Sequence, residues 1–182
     1  PGERVGPIRR VQVDTGAMLS PFSAFLVLRG MTTLAVRMER HSATALALAR
    51  WLEGRDGVRL VAHPSLASHP QHEVARRQFD VGGGMLAFEL EGGRAAGAAF
   101  IDALTVPERT ASLGSVHTMV MHPPTTSHRQ LSDSELAEAG IDPGLLRCSV
   151  GLEDLDDLVE DFARGLAAAR AAVGPAVGAS AG

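Results

Sequence analysis

The chain has 182 residues, 45% hydrophobic and 21% charged, enough to bury one real core but not two large independent ones. Its formal net charge of -4, with arginines scattered along the chain, excludes a basic stripe for nucleic acid, and no apolar run approaches the roughly 20 residues of a bilayer-spanning helix. The lone cysteine, Cys148, excludes an internal disulfide framework and fits a reducing, cytoplasmic setting; all 17 Lys+Arg residues are Arg and Tyr is absent, so no side-chain amine can start covalent catalysis.

In chain order, residues 1–19 read as an irregular or linker segment, because Gly2, Gly6, Pro7 and Gly16 interrupt any helical period. Ser20-Pro21 opens a helix: Ser offers an oxygen to orphan N–H groups and Pro has none to lose. Phe22, Phe25, Leu26, Leu34, Met38, Ala45, Leu48 and Leu52 continue at helical spacing, as one long helix or two, to about Gly54. A short strand over 58–62 and a short helix over 70–79 follow. Gly82-Gly83-Gly84 leads into the alternating strand 85–90 and an Ala-rich helix over 92–104. Residues 111–131 read as mostly irregular, and a loop of that length is usually functional. Ser132-Asp133-Ser134-Glu135 is a capping box, 145–150 a strand, and Glu153 to about Arg170 an amphipathic helix with Leu155, Leu158, Val159, Phe162 and Leu166 toward the core. The order predicts an α/β layer with helices mainly on one face of a small sheet, a domain over 20–170 and a flexible small-residue tail over 171–182.

Several segments carry a family resemblance when taken together. They are Leu19-Ser20-Pro21-Phe22-Ser23-Ala24-Phe25-Leu26, Arg37-Met38-Glu39-Arg40-His41, Pro64-Ser65-Leu66-Ala67-Ser68-His69-Pro70-Gln71, Gly83-Gly84-Met85-Leu86-Ala87-Phe88-Glu89-Leu90, Ser112-Leu113-Gly114 and Leu146-Arg147-Cys148-Ser149-Val150-Gly151-Leu152-Glu153-Asp154. In this order they resemble the carboxyl-terminal part of the Cys/Met metabolism enzymes that depend on pyridoxal 5'-phosphate: cystathionine synthases and lyases, methionine gamma-lyase and homoserine sulfhydrylases. The resemblance implies the small C-terminal domain of an aspartate-aminotransferase-type (fold type I) enzyme. It also implies that the cofactor is bound mainly by a missing N-terminal portion that carries the Schiff-base lysine.

By that resemblance Arg147, in Arg-x-Ser-x-Gly-x-Glu, holds the substrate carboxylate, which its planar guanidinium suits through two parallel hydrogen bonds. Read without the resemblance, Arg147 is a strand-end arginine paired with Glu153 or Asp154. Ser112 matches the family's Ser-x-Gly beside that carboxylate, and Leu113, Gly114, Thr126 and His128 are carried over as an active-site wall. Where many members continue Glu-Ser-Leu, this chain has His117-Thr118-Met119. No Cys or carboxylate joins His117, His122 and His128 at usual ligand spacing, so no metal is expected. Cys148 should point away from Arg147 as a small buried residue.

The expectation is therefore a substrate-closing part of a carbon–sulfur lyase, transsulfuration or sulfhydrylase enzyme, inactive alone. Its expected partners are the cofactor-binding portion, a small amino-acid substrate and other copies in a homo-oligomer, with no nucleic acid and no membrane. A non-catalytic assembly or regulatory module of the same fold, or part of a carbon–sulfur lyase domain in a larger multidomain synthase, is the alternative.

Overall fold

A computed structural model describes residues 2–174, which divide after Val36 into two compact units. In the first lie α1 (Gly2–Thr15) and α2 (Pro21–Met31). The segment expected to be irregular is thus helical. Its glycine at 16 ends the helix rather than breaking it: with φ of 68° it lets the Ala17 N–H reach the Gln12 carbonyl (3.1 Å) and its own N–H the Val13 carbonyl (3.3 Å). Ser20 caps α2 as read, its Oγ accepting from the Ser23 N–H at 3.1 Å. No residue of α2 is buried, and Phe22, Phe25, Leu26 and Leu28 are exposed.

A third helix, α3 (Leu34–Leu52), follows after Thr33 and turns Ala45, Leu48, Ala49 and Leu52 into the core. Then come β1 (Val58–Ala62), α4 (His72–Gln78), β2 (Met85–Leu90), α5 (Gly93–Ala103), β3 (Met119–Met121), α6 (Asp133–Glu138), β4 (Leu145–Ser149) and α7 (Leu155–Val173). The α/β expectation holds. The strands form one antiparallel sheet in the order β1-β2-β4-β3, so β4 is internal, with Arg147 opposite Ala87 on one side and Met121 on the other.

Alternation decides which face is core. Leu86, Phe88 and Leu90 of β2 and Leu146 and Cys148 of β4 are buried in one apolar cluster with Ala96 and Phe100 of α5 and Leu158, Phe162, Leu166 and Ala169 of α7. Phe100 lies edge-on to Phe88 and Phe162 at ring separations of 5.3 and 5.4 Å. Gly165 permits this, since a Cβ there would come within 2.7 Å of the Phe100 ring. The α7 stripe read from sequence faces this core, and α7 runs on to Val173; the rest of the expected tail, 175–182, lies outside the described residues.

Candidate functional site

Because Leu146 and Cys148 point into the core, Arg147 emerges on the other face of β4. Its Nη2 donates to the Ser112 carbonyl at 3.4 Å and its Nη1 faces the Met121 sulfur at 3.8 Å. Both contacts are long, and a thioether is a weak acceptor. The two acids that the sequence offers as ion-pair partners are committed elsewhere. Glu153 accepts from the Thr118 N–H and hydroxyl, both at 2.7 Å, while Asp154 caps α7 and meets Arg40 at 3.9 Å. None of the ion pairs among the described residues includes Arg147.

The Ser112-Leu113-Gly114 turn lies alongside. Gly114 has φ of 80°, which a residue with a Cβ rarely adopts, and donates its N–H to Ser149 Oγ at 3.3 Å. Leu113 is exposed, yet with Gly114, Ser149, Met85 and His41 it also lines a largely apolar concavity of about 160 Å³. His41 reaches this place from α3 by donating Nδ1–H to the Val150 carbonyl at 2.7 Å.

Thr126 donates its hydroxyl to the His122 carbonyl at 2.8 Å and, with Met121, Thr125 and Arg109, lines a second concavity of about 260 Å³. Met121 therefore links Arg147 to Thr126. His128 is bonded to the neighbouring Ser127 at 2.8 Å and lines neither concavity. The structure thus brings Arg147, Ser112, Leu113 and Gly114 together, joins Thr126 through Met121, and leaves His128 apart. Sequence reasoning missed Met121 and Ser149. Ser149 stands inside the Arg-x-Ser-x-Gly-x-Glu motif and could have been found there; Met121 gave no signal, because β3 itself was read as loop.

Two buried histidines have structural duties. The Pro143 carbonyl can only accept, so His122 carries its proton on Nε2 (2.8 Å) and Nδ1 receives the Thr125 hydroxyl (2.9 Å); burial holds its pKa below the ordinary histidine value. His63 likewise accepts the Ser65 N–H at Nδ1 (3.1 Å) and donates to Gly83 (3.2 Å), with its pKa also lowered by burial. Among the described residues no three His, Cys, Asp or Glu side chains are grouped to hold a metal.

Known proteins resemble this chain in both sequence and fold. The family model described as Cys/Met metabolism PLP-dependent enzyme matches residues 3–167. An O-succinylhomoserine sulfhydrylase of Pseudomonas aeruginosa is 50% identical over 167 residues, 92% of this chain and 41% of that protein. An L-methionine gamma-lyase of Pseudomonas putida is 47% identical over 85% of this chain and 39% of its own length. Among solved structures, a cystathionine gamma-lyase of Micromonospora echinospora aligns with a TM-score of 0.84 at 36% identity, covering 92% of this chain and 44% of that one. A cystathionine gamma-synthase of Xanthomonas oryzae, in complex with aminoacrylate and cysteine, gives 0.79 at 43%, over 87% and 41%.

The chain spans about two fifths of the length of these relatives. Its own residues do not fit the covalent seat of pyridoxal phosphate, since that bond needs a lysine amine and the sequence has no Lys. What it does share, across sequence and fold, is enough to place it: this chain belongs to the Cys/Met metabolism family of PLP-dependent enzymes.

Proposed function

We propose that the chain supplies the substrate-carboxylate end of an enzyme site that makes or breaks carbon–sulfur bonds of sulfur amino acids, with pyridoxal phosphate held by residues outside these 182. One observation carries the reading: among the described residues the Arg147 guanidinium has only a long carbonyl contact and a thioether contact, while both nearby acids serve other groups. A guanidinium so placed gains most from an incoming carboxylate, which can displace weak contacts with two parallel charge-assisted hydrogen bonds. Held at two points, an amino acid loses rotation about its Cα–carboxylate bond, and the bonds at Cα take a fixed direction. Leu113 and Gly114 directly follow Ser112, whose carbonyl meets Arg147, and line the apolar concavity beside it, one with apolar surface and the other with close backbone approach. The cofactor supplies the electron sink of this family's chemistry when bound; placing the substrate is this chain's share.

The assembly follows the same logic. The exposed apolar residues of α2 are of the kind that a second subunit or the cofactor-binding portion covers, which supports a homo-oligomer, and the single cysteine suits the reducing cytoplasm to which we assign the protein. No helix among the described residues is long and apolar enough to cross a membrane. The absence of Lys favours a second reading, a non-catalytic assembly module of the same fold.

The two separate on Arg147→Lys in the complete, cofactor-loaded polypeptide. Lys keeps the charge and loses the fork, so kcat/KM for the amino-acid substrate should fall about ten- to a hundredfold with the cofactor absorbance unchanged. Unchanged kcat/KM in that variant would remove the carboxylate role.

A further inference from the structure

Every second residue after Arg147 reaches across to the segment 112–118. Arg147 Nη2 donates to the Ser112 carbonyl at 3.4 Å, Ser149 Oγ accepts the Gly114 N–H at 3.3 Å, and the Gly151 N–H donates to Thr118 Oγ1 at 2.8 Å. The Glu153 carboxylate then takes the Thr118 N–H and hydroxyl at 2.7 Å each. Between the last two, the Leu152 N–H donates to the Val116 carbonyl at 2.8 Å. The motif Arg-x-Ser-x-Gly-x-Glu is therefore a ladder whose rungs join the carboxylate-binding strand to the Ser112 turn.

The rungs are unequal. At the Glu153 end the bonds are short, one partner is charged, and Thr118 is fully buried; at the Arg147 end they are long, neutral on the acceptor side, and Ser112 is exposed. Gly151 is fixed by the same design, because a Cβ there would overlap the Glu153 carboxylate, the Val116 carbonyl and the Thr118 nitrogen. Thr118 uses its hydroxyl in both directions, accepting from Gly151 and donating to Glu153, which no valine could do.

We propose that Thr118 and Glu153 are positioning residues: they anchor the far end of the ladder, keep Glu153 from neutralising Arg147, and leave the Ser112 turn movable only at its Arg147 end, where the substrate carboxylate enters. The inference rests on the carboxylate role given to Arg147 above. Its own content is that substrate affinity at Arg147 is set from six residues away by a group that never touches substrate.

Thr118→Val, Thr118→Ser and Glu153→Gln, each in the complete cofactor-loaded polypeptide, test this against Arg147→Lys. Thr118→Val and Glu153→Gln should raise KM for the amino-acid substrate about tenfold with kcat changed less than about threefold, and should speed amide exchange over 112–118. Thr118→Ser keeps both hydrogen-bonding directions and should match wild type in KM and exchange. If Thr118→Val does not fold, Glu153→Gln and Thr118→Ser carry the comparison. Wild-type KM in Glu153→Gln or Thr118→Val, while Arg147→Lys shows its loss, overturns the anchor and leaves the carboxylate reading standing. An Arg147→Lys variant with unchanged kcat/KM removes that reading and the anchor with it.

Discussion

Arg147 and Cys148 are neighbours in sequence and opposites in environment, and the alternation of β4 is the whole cause. Burial pushes the Cys148 thiol up, Glu153's charge adding to the effect, so the sulfur stays protonated and behaves as a small apolar side chain. Asp161 shows the reverse balance. Burial raises its pKa, but the Val106 and Thr105 N–H groups, the Thr105 hydroxyl and Arg164 together pull it below the ordinary carboxylate value. A carboxyl whose folded pKa is depressed adds stability above its unfolded value, about 3.9, and that stability is lost as pH falls through the lower folded value. Asp161→Asn places an amide NH2 against donors at the end of α5. It should cost about 3 kcal/mol at neutral pH, with a shallower acid dependence, measured as urea unfolding between pH 3 and 7. A wild-type acid dependence in Asp161→Asn would assign the stability elsewhere.

The elements show why some of the chain was legible and some was not. Ser20-Pro21 and the Ser132 capping box announce helices through groups that bond their own backbone, and α7 announces its core face by spacing; all three form as read. β3 could not be read: it has three residues, all buried, so no alternation exists, and its pairing is decided by β4, which lies more than twenty residues away. The loop after β3 is ordered from a distance too. Arg94 of α5 donates to the Pro124 and Leu131 carbonyls and to Asp133 (2.6 Å), clamping both ends of the stretch that carries Thr126 and His128. Gly97, one turn along α5, makes room for His122, since a Cβ would overlap the imidazole ring. Gly97→Ala gains about 1 kcal/mol of helix propensity, but the overlap with a buried, doubly bonded ring should dominate. Net destabilisation of about 1–3 kcal/mol is expected in denaturant unfolding, and a variant more stable than wild type would show that the loop can shift at little cost.

At the scale of the whole molecule, the candidate site was legible where one motif holds it and illegible where the fold assembles it. Arg147 and Ser112 could be named from Arg-x-Ser-x-Gly-x-Glu and Ser-x-Gly, whereas Met121 depends on the pairing of β3 with β4, and the Thr118–Glu153 contact joins residues 35 apart in the chain through side-chain hydrogen bonds. The chain spans about two fifths of its relatives' length, its α2 is apolar and unburied, and its sequence holds no Lys. The central claim is that Arg147 recognises the substrate's carboxylate, and a cycle between residue and substrate measures that contact directly. In the complete cofactor-loaded polypeptide, kcat/KM would be compared for the amino acid and its carboxamide, with Arg147 and with Arg147→Lys. Carboxylate recognition by the guanidinium predicts that the native residue favours the acid by about tenfold or more and that Arg147→Lys loses most of this preference. An acid preference undiminished in Arg147→Lys would contradict it.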